Sequence, residues 1–430
     1  MRDAVTPTLP GFAAAVRGID AIRPTLHELY KDLHAHPELS FAETRTAGIV
    51  ARELGRIGFE VTTEVGRTGV VGVLANGDGP RVLLRADFDA LPVAEATGLP
   101  YASAATGVDP DGTTVPVMHA CGHDMHVTCL LGALELLAAA RDHWTGTILA
   151  VFQPAEELGA GAEAMIDDGL FDRFGAPDVV LGQHVAPFPA GLLGLHAGPA
   201  FAASDSLRVV LTGRGGHGSR PETTVDPVVM AAYAVTRLQT VVSREIGGGE
   251  TAVVTVGSLT AGTKDNIIPE TAELKLNIRT YADDVRERVL TAVRRIVLAE
   301  AQASGAPAEP EFTVLHGFPA VVNDAAAVDR TRQAFAAQFG HERVIDPGPV
   351  TGSEDVGAFA TESGAPCCYW LLGGADAELF AAAEKSGTLA VDVPSNHSPN
   401  YAPVIEPTVD TGVRALIVAA LTWLGRDRLT

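Results

Sequence analysis

The feature that most constrains the fold is a series of short apolar runs separated by helical segments and turns. The runs are GVVGVLA (69–75), RVLLRAD (81–87), TILAVFQ (147–153), DVVLGQH (178–184) and CCYWLL (367–372). Each is long enough for one strand, and none shows the polar alternation of a strand with a wet face. Helical patterning covers about 20–35, 44–57 and HVTCLLGALELLAAARDH (126–143). Apolar strands alternating with helices predict an α/β fold with a mixed, largely parallel sheet covered by helices on both faces.

From about residue 203 the texture changes. SLRVVLTGRG alternates like an antiparallel strand, a helix follows over 226–243, and AVVTVGSLTAG and ELKLNIRTY alternate in turn. A second helix spans about 283–303 and EFTVLH (311–316) closes the segment. The order β-α-β-β-α-β predicts a ferredoxin-like α+β domain. With 430 residues, two domains are expected. The simplest division has a small domain, 201–316, inserted into a discontinuous larger one, 1–200 and 317–430.

Polar clusters follow the apolar runs: DFD (87–89), QPAEE (153–157) and GQH (182–184), while CGHD opens a helix near 124. Ligands of open α/β sheets gather at the carboxyl ends of the strands. The fold is therefore expected to bring Asp87, Asp89, Cys121, His123, Glu156, Glu157 and His184 to one rim. Thiolate, imidazole and carboxylate together are a metal-ligand inventory, and NHSPNY (396–401) adds His397. Of the 13 histidines, His27, His34, His36, His143 and His341 lie in polar or helical contexts and are read as surface or core residues. Cys129, Cys367 and Cys368 lie on apolar runs and are read as small hydrophobes. A rival reading makes Cys121 a nucleophile with His123 or His126 as its base, and a non-catalytic one makes the chain a metal-dependent binding protein.

Charge narrows the partners. The formal net charge of −22 disfavours nucleic acid and anionic membrane. No apolar run reaches the ~20 residues of a membrane span, and the first twenty residues lack a signal-peptide core. Four cysteines in no disulfide framework point to a reducing, cytoplasmic location.

The ordered set ADFDALP, HACGHDMH, VFQPAEE, GQHV, GRGGHGSRP, DNIIP, NIRT, GSEDVGAF and NHSPNY resembles the metal-dependent amidohydrolase branch of the aminoacylase/carboxypeptidase superfamily. That branch holds hippurate hydrolases, N-acyl-amino-acid amidohydrolases and the indole-acetyl-amino-acid hydrolases. The resemblance runs from about residue 28 to about 425. It implies a zinc-peptidase-like catalytic domain, an inserted lid and dimerisation domain, and a homodimer or homotetramer. It also implies two divalent metal ions per subunit, Zn2+ or Mn2+ first and Co2+ or Ni2+ as alternatives. By motif position the ligands are Cys121, His123, Glu157, His184 and His397, with the Cys121 thiolate bridging. Glu156 matches the general base; the resemblance alone separates its role from that of Glu157. His217 matches an oxyanion-stabilising histidine, usually supplied to the partner subunit. Asn266 and Arg279 match the positions that hold the free carboxylate of an N-acyl amino acid substrate. Where the wider superfamily has a histidine ligand this chain has Asp87, so Asp87 and Asp89 are expected to support the site rather than ligate. Asp124 is a candidate for orienting a ligand, and His119 and His126 take no role. The implied activity is hydrolysis of N-acyl amino acids, with dipeptide cleavage by the same metals as the alternative.

Overall fold

A computed structural model describes residues 11–109 and 112–425. The first ten residues, where a signal-peptide core is not expected, lie outside the described part. The described chain divides into two compact units. One comprises residues up to Ala200, Val322–Gly348 and Asp355 onward, and the other Phe201–Val321 with Pro349–Glu354.

The larger unit is built on an eight-stranded sheet. Its order is Glu60–Val65, Gly69–Asn76, Gly146–Gln153, Arg81–Asp87, Val179–Pro189, Cys367–Ala375, Leu193–Gly194 and Val344–Ile345. The four central strands run parallel to one another, and the antiparallel pairings fall toward the sides. The five apolar runs all become strands of this sheet. Parallel neighbours need helical crossovers, so both faces are covered and the strands stay apolar throughout. Every residue of Arg81–Asp87 after the first is buried. Helix His123–Ala139 is buried on nearly all sides, as a core helix without an amphipathic stripe should be. Its close approach to two neighbours rests on glycine: a Cβ at Gly132 would come within 2.7 Å of Leu26 and 2.9 Å of Val413. Glu60–Val65 was not foreseen. It is a half-exposed edge strand, EVTTEV, without an apolar run to mark it.

The smaller unit has a four-stranded antiparallel sheet in the order Ala252–Ala261, Thr271–Thr280, Ala203–Thr212, Glu311–Phe318, with helices Pro227–Glu245 and Asp283–Ala303. Chain order is β-α-β-β-α-β. Its own core includes Val209, Leu238, Leu274, Ile278 and Val293, all fully buried.

Candidate metal centre

Four segments of the larger unit meet beyond the carboxyl ends of the central strands. Helix His123–Ala139 starts at Gly122, whose φ of 81° and a would-be Cβ only 2.4 Å from Val185 admit no side chain. That turn places Cys121 and His123 on either side of the helix start. Strand Gly146–Gln153 runs into Pro154 and Ala155, and a single helical turn, Glu156–Leu158, carries the paired carboxylates. His184 lies inside Val179–Pro189 rather than after it, because pairing with Cys367–Ala375 continues to Pro189. It nonetheless stands beyond Gly182, where pairing with Arg81–Asp87 stops, so its ring reaches the rim. His397 arrives on a loop in a left-handed conformation, φ 70°, with its N–H donating to Ala120 O at 2.8 Å.

The donor atoms form overlapping groups, each with all members within 4.8 Å of one another: Cys121, His123 and His184; Cys121, Glu157 and His397; and His123, Glu156 and Glu157. Cys121 is common to the first two. Cys121 Sγ is 3.5 Å from His184 Nε2. Glu157 Oε1 is 3.4 Å from His397 Nε2. His123 Nε2 lies 3.9 Å from both Glu156 Oε2 and Glu157 Oε1. Two of these atoms, His123 Nε2 and Glu157 Oε1, are buried without a hydrogen bond. A buried imidazole nitrogen and carboxylate oxygen left so are costly unless a cation takes them. The donor set therefore fits two divalent ions.

Supporting residues set the ring orientations. Asp89 Oδ1 lies 3.1 Å from His123 Nδ1, and its Oδ2 accepts from Ser40 Oγ at 2.7 Å and from the Glu157 N–H at 3.0 Å. One carboxylate thus fixes a candidate ligand and the turn bearing another. His184 Nδ1 sits 2.8 Å from Val185 O, which makes Nδ1 the protonated nitrogen and leaves the lone pair of Nε2 directed toward Cys121. His126 accepts the Val185 N–H at Nε2 and meets Asp87 Oδ1 through Nδ1 at 2.5 Å. Asp87 Oδ2 in turn accepts from Arg85, which also reaches Gln153, Asp355 and Tyr369, all buried. Asn396 donates to the carbonyls of Cys121 and Val185, both at 3.2 Å.

The protonation pattern follows. Burial would lower His123, but the neighbouring Asp87, Asp89 and Cys121 hold it well above the ordinary histidine range. The neighbouring Cys121 and Glu157 raise His397 to about 10. Burial and the neighbouring His126 push His184 well below its usual value. Burial opposes ionisation of Asp87, yet Arg85, His123 and His126 keep it well below the carboxylate range. Burial, with the Asp89 charge adding to it, raises the Glu43 carboxyl to about 7, and burial lowers His119, whose two ring nitrogens make no hydrogen bond, to about 4.

His217, Asn266 and Arg279 belong to the smaller unit. His217 and Asn266 lie together: the Gly218 N–H donates to Asn266 O at 2.8 Å and His217 pairs with Ile267. His217 is exposed, its Nδ1 accepting from Ser219 N–H at 3.1 Å. Arg279, on strand Thr271–Thr280, donates to Thr351 O at 2.5 Å, Ser353 Oγ at 3.1 Å and Asn277 Oδ1 at 3.1 Å.

Three supporting residues carry no motif of their own. His34, placed among the surface or core histidines, is fully buried and held by Asp124 at 2.7 Å and Glu95 at 3.1 Å. Ser40 and Glu43 brace the rim from the segment between the first two long helices. A histidine one turn after Tyr30 on an otherwise apolar face was the available signal for His34; nothing in ELSFAE singles out the other two.

The sequence pattern of peptidase family M20/M25/M40 matches residues 83–387. A hippurate hydrolase of Campylobacter jejuni is 40% identical over 343 residues, 79% of this chain and 85% of that protein. An N-acetylcysteine deacetylase of Bacillus subtilis is 37% identical over 327 residues, 75% and 82% of the two chains. A solved Bacillus subtilis structure, described as a dinuclear metal binding peptidase from the M20 family, superposes with a TM-score of 0.74 at 28% identity, covering 94% of this chain and 99% of the other. The chain belongs to peptidase family M20/M25/M40, within its amidohydrolase branch.

Proposed function

We propose that this chain is a two-metal amidohydrolase that cleaves N-acyl amino acids to a carboxylic acid and a free amino acid. The observation that carries the reading is the pair of donor groups sharing Cys121, with Glu156 beside them. Cys121, His123, Glu157, His184 and His397 would hold the ions. A thiolate has lone pairs enough for two cations, so it suits the shared position. Bound divalent ions supply Lewis acidity toward the scissile carbonyl and make water a nucleophile near neutral pH. Zn2+ or Mn2+ suits the mixed sulfur, nitrogen and oxygen set, and Co2+ or Ni2+ also fits it.

Glu156 is 4% exposed and serves as the base: its carboxylate takes the proton of the attacking water and delivers it to the leaving amine nitrogen. His217 donates to the oxyanion that develops on the substrate carbonyl. Asn266 and Arg279 hold the substrate's free carboxylate, for which a planar guanidinium is well shaped. The enzyme works as a dimer or tetramer in the cytoplasm, where its four cysteines, none in a disulfide, stay reduced. Among the described residues no helix is long and apolar enough to cross a membrane.

Glu156→Gln is expected to keep two metals per chain and lose at least ~100-fold in kcat; near-normal turnover would remove Glu156 from the base role. Chelation is expected to abolish hydrolysis, and Zn2+, Mn2+, Co2+ or Ni2+ to restore it. A panel of acetyl-, benzoyl- and longer acyl-amino acids, run beside dipeptides, separates this reading from a dipeptidase.

A further inference from the structure

The turn that carries Glu156 starts from an unusual backbone. Ala155 has φ 47° and ψ 41°, a left-handed conformation that residues other than glycine rarely adopt unless their surroundings impose it. The surroundings here are specific. Ala155 is fully buried, and its N–H donates to Glu43 Oε1 at 2.9 Å. Its carbonyl accepts from the N–H of Gly161 at 3.2 Å. Pro154 O packs so close to Gly161 that a Cβ there would lie 1.6 Å from it. Glu43 is itself 0% exposed, and its other oxygen accepts from Thr68 Oγ1 at 2.5 Å. A fully buried carboxylate is costly, and this one spends its two oxygens on one backbone N–H and one hydroxyl. It touches none of the candidate metal ligands in these bonds.

We infer that Glu43 is a positioning residue: it locks Ala155 in the left-handed conformation that turns Glu156 toward the reacting centre. The inference rests on Glu156 being the base. Strand Gly146–Gln153 arrives along the sheet, and the chain must turn sharply for two consecutive carboxylates to serve different tasks. Asp89 fixes Glu157 through its N–H; Glu43 does the same for the residue before Glu156. Without Glu43, Ala155 relaxes toward negative φ and the Glu156 carboxylate swings from its place, while the five candidate ligands keep their own supports.

The test compares Glu43→Ala, Glu43→Gln and Glu156→Gln in metal-loaded enzyme, measuring kcat, KM, metal content and melting temperature. Glu43→Ala is expected to lower kcat ~10–100-fold with KM and two metals per chain retained, as a small misplacement of a catalytic group does. Glu43→Gln keeps an acceptor for the Ala155 N–H and is expected to restore kcat to within about threefold of the natural enzyme. Replacing Ala155 by glycine, which adopts positive φ freely, should shrink the loss caused by Glu43→Ala. If Glu43→Ala leaves kcat unchanged while Glu156→Gln is inactive, positioning is overturned and the base reading stands. If Glu156→Gln is active, both fall. Should Glu43→Ala lose metal or fail to fold, Thr68→Val decides: a kcat loss of about threefold or more at unchanged KM and metal content supports the inference, and unchanged kcat overturns it.

Discussion

His34 shows how much a single buried proton can hold. Its ring lies between Asp124 and Glu95, with none of the three side chains exposed. Burial opposes the charge, but the two carboxylates win and lift the imidazole to about 10. The folded value stands above the ordinary 6.5, so the stabilisation is complete below pH 6.5 and is lost as pH rises through about 10. Removing one partner of such a buried set costs about 3–5 kcal/mol. His34→Gln is therefore expected to melt well below the natural protein at pH 6, the gap narrowing as pH approaches 10; a gap independent of pH would show that His34 is not charged in the folded state. Asp124 immediately precedes the buried Met125 and follows His123, so the same proton helps fix the start of helix His123–Ala139. The sequence could not reveal this. Spacing in HACGHD marks residues that share a segment, whereas His34 reaches Asp124 across 90 positions. The five candidate ligands were proposed from four motifs, HACGHDMH, VFQPAEE, GQHV and NHSPNY, and their donor atoms lie in overlapping groups. Ser40, Glu43 and His34, which brace the segments around the centre, lie in a stretch with no motif chemistry and are found only by contact.

At a few points the helices approach their neighbours closely through glycine. Gly412 on helix Ile405–Leu424 is one such point: a Cβ would meet Cys129 Sγ at 2.6 Å and both Gln183 Nε2 and Leu372 Cδ2 at 2.8 Å. Three neighbours from three elements cannot all give way. Alanine would gain up to ~1 kcal/mol of helix propensity, but overpacking costs ~1–3 kcal/mol. Gly412→Ala is thus expected to lower stability, read as a reduced denaturant midpoint with an unchanged slope. Element positions were largely readable from the sequence, because strands buried on both faces must be apolar along their length and Thr271–Thr280 of the smaller sheet alternates between buried and more exposed residues. Glu60–Val65 was hidden for the opposite reason: an edge strand needs no apolar run. The end of Val179–Pro189 was hidden too, since strand length is set by how far a neighbour offers pairing, which no local pattern records.

At the scale of the whole molecule, the smaller unit leaves a strand edge without a partner. Ala252–Ala261 is ten residues long, stands at the end of its sheet and pairs only with Thr271–Thr280 among the described residues. It exposes Val253 and Leu259 at 41% and 45%, and helix Pro227–Glu245 exposes Val228, Val229 and Tyr233, the last at 64%. A long apolar edge is a template for another strand unless it is shielded, and a second copy in antiparallel pairing would satisfy both edges by two-fold symmetry. Lysines at Val253 and Leu259 together are expected to convert a dimer, as read by size-exclusion chromatography with light scattering, into a monomer. The proposed dimer would also bear on catalysis if His217 serves the partner's site. Chains carrying Glu156→Gln and chains carrying His217→Ala would then be nearly inactive alone. Dissociated and reassociated in equal amounts, they form mixed dimers in which one site has an intact Glu156 and receives the other chain's His217. About half the dimers are mixed and each has one complete site of two, so roughly a quarter of natural activity should return. If His217 acts within its own chain, no mixed dimer holds a complete site and reassociation restores nothing.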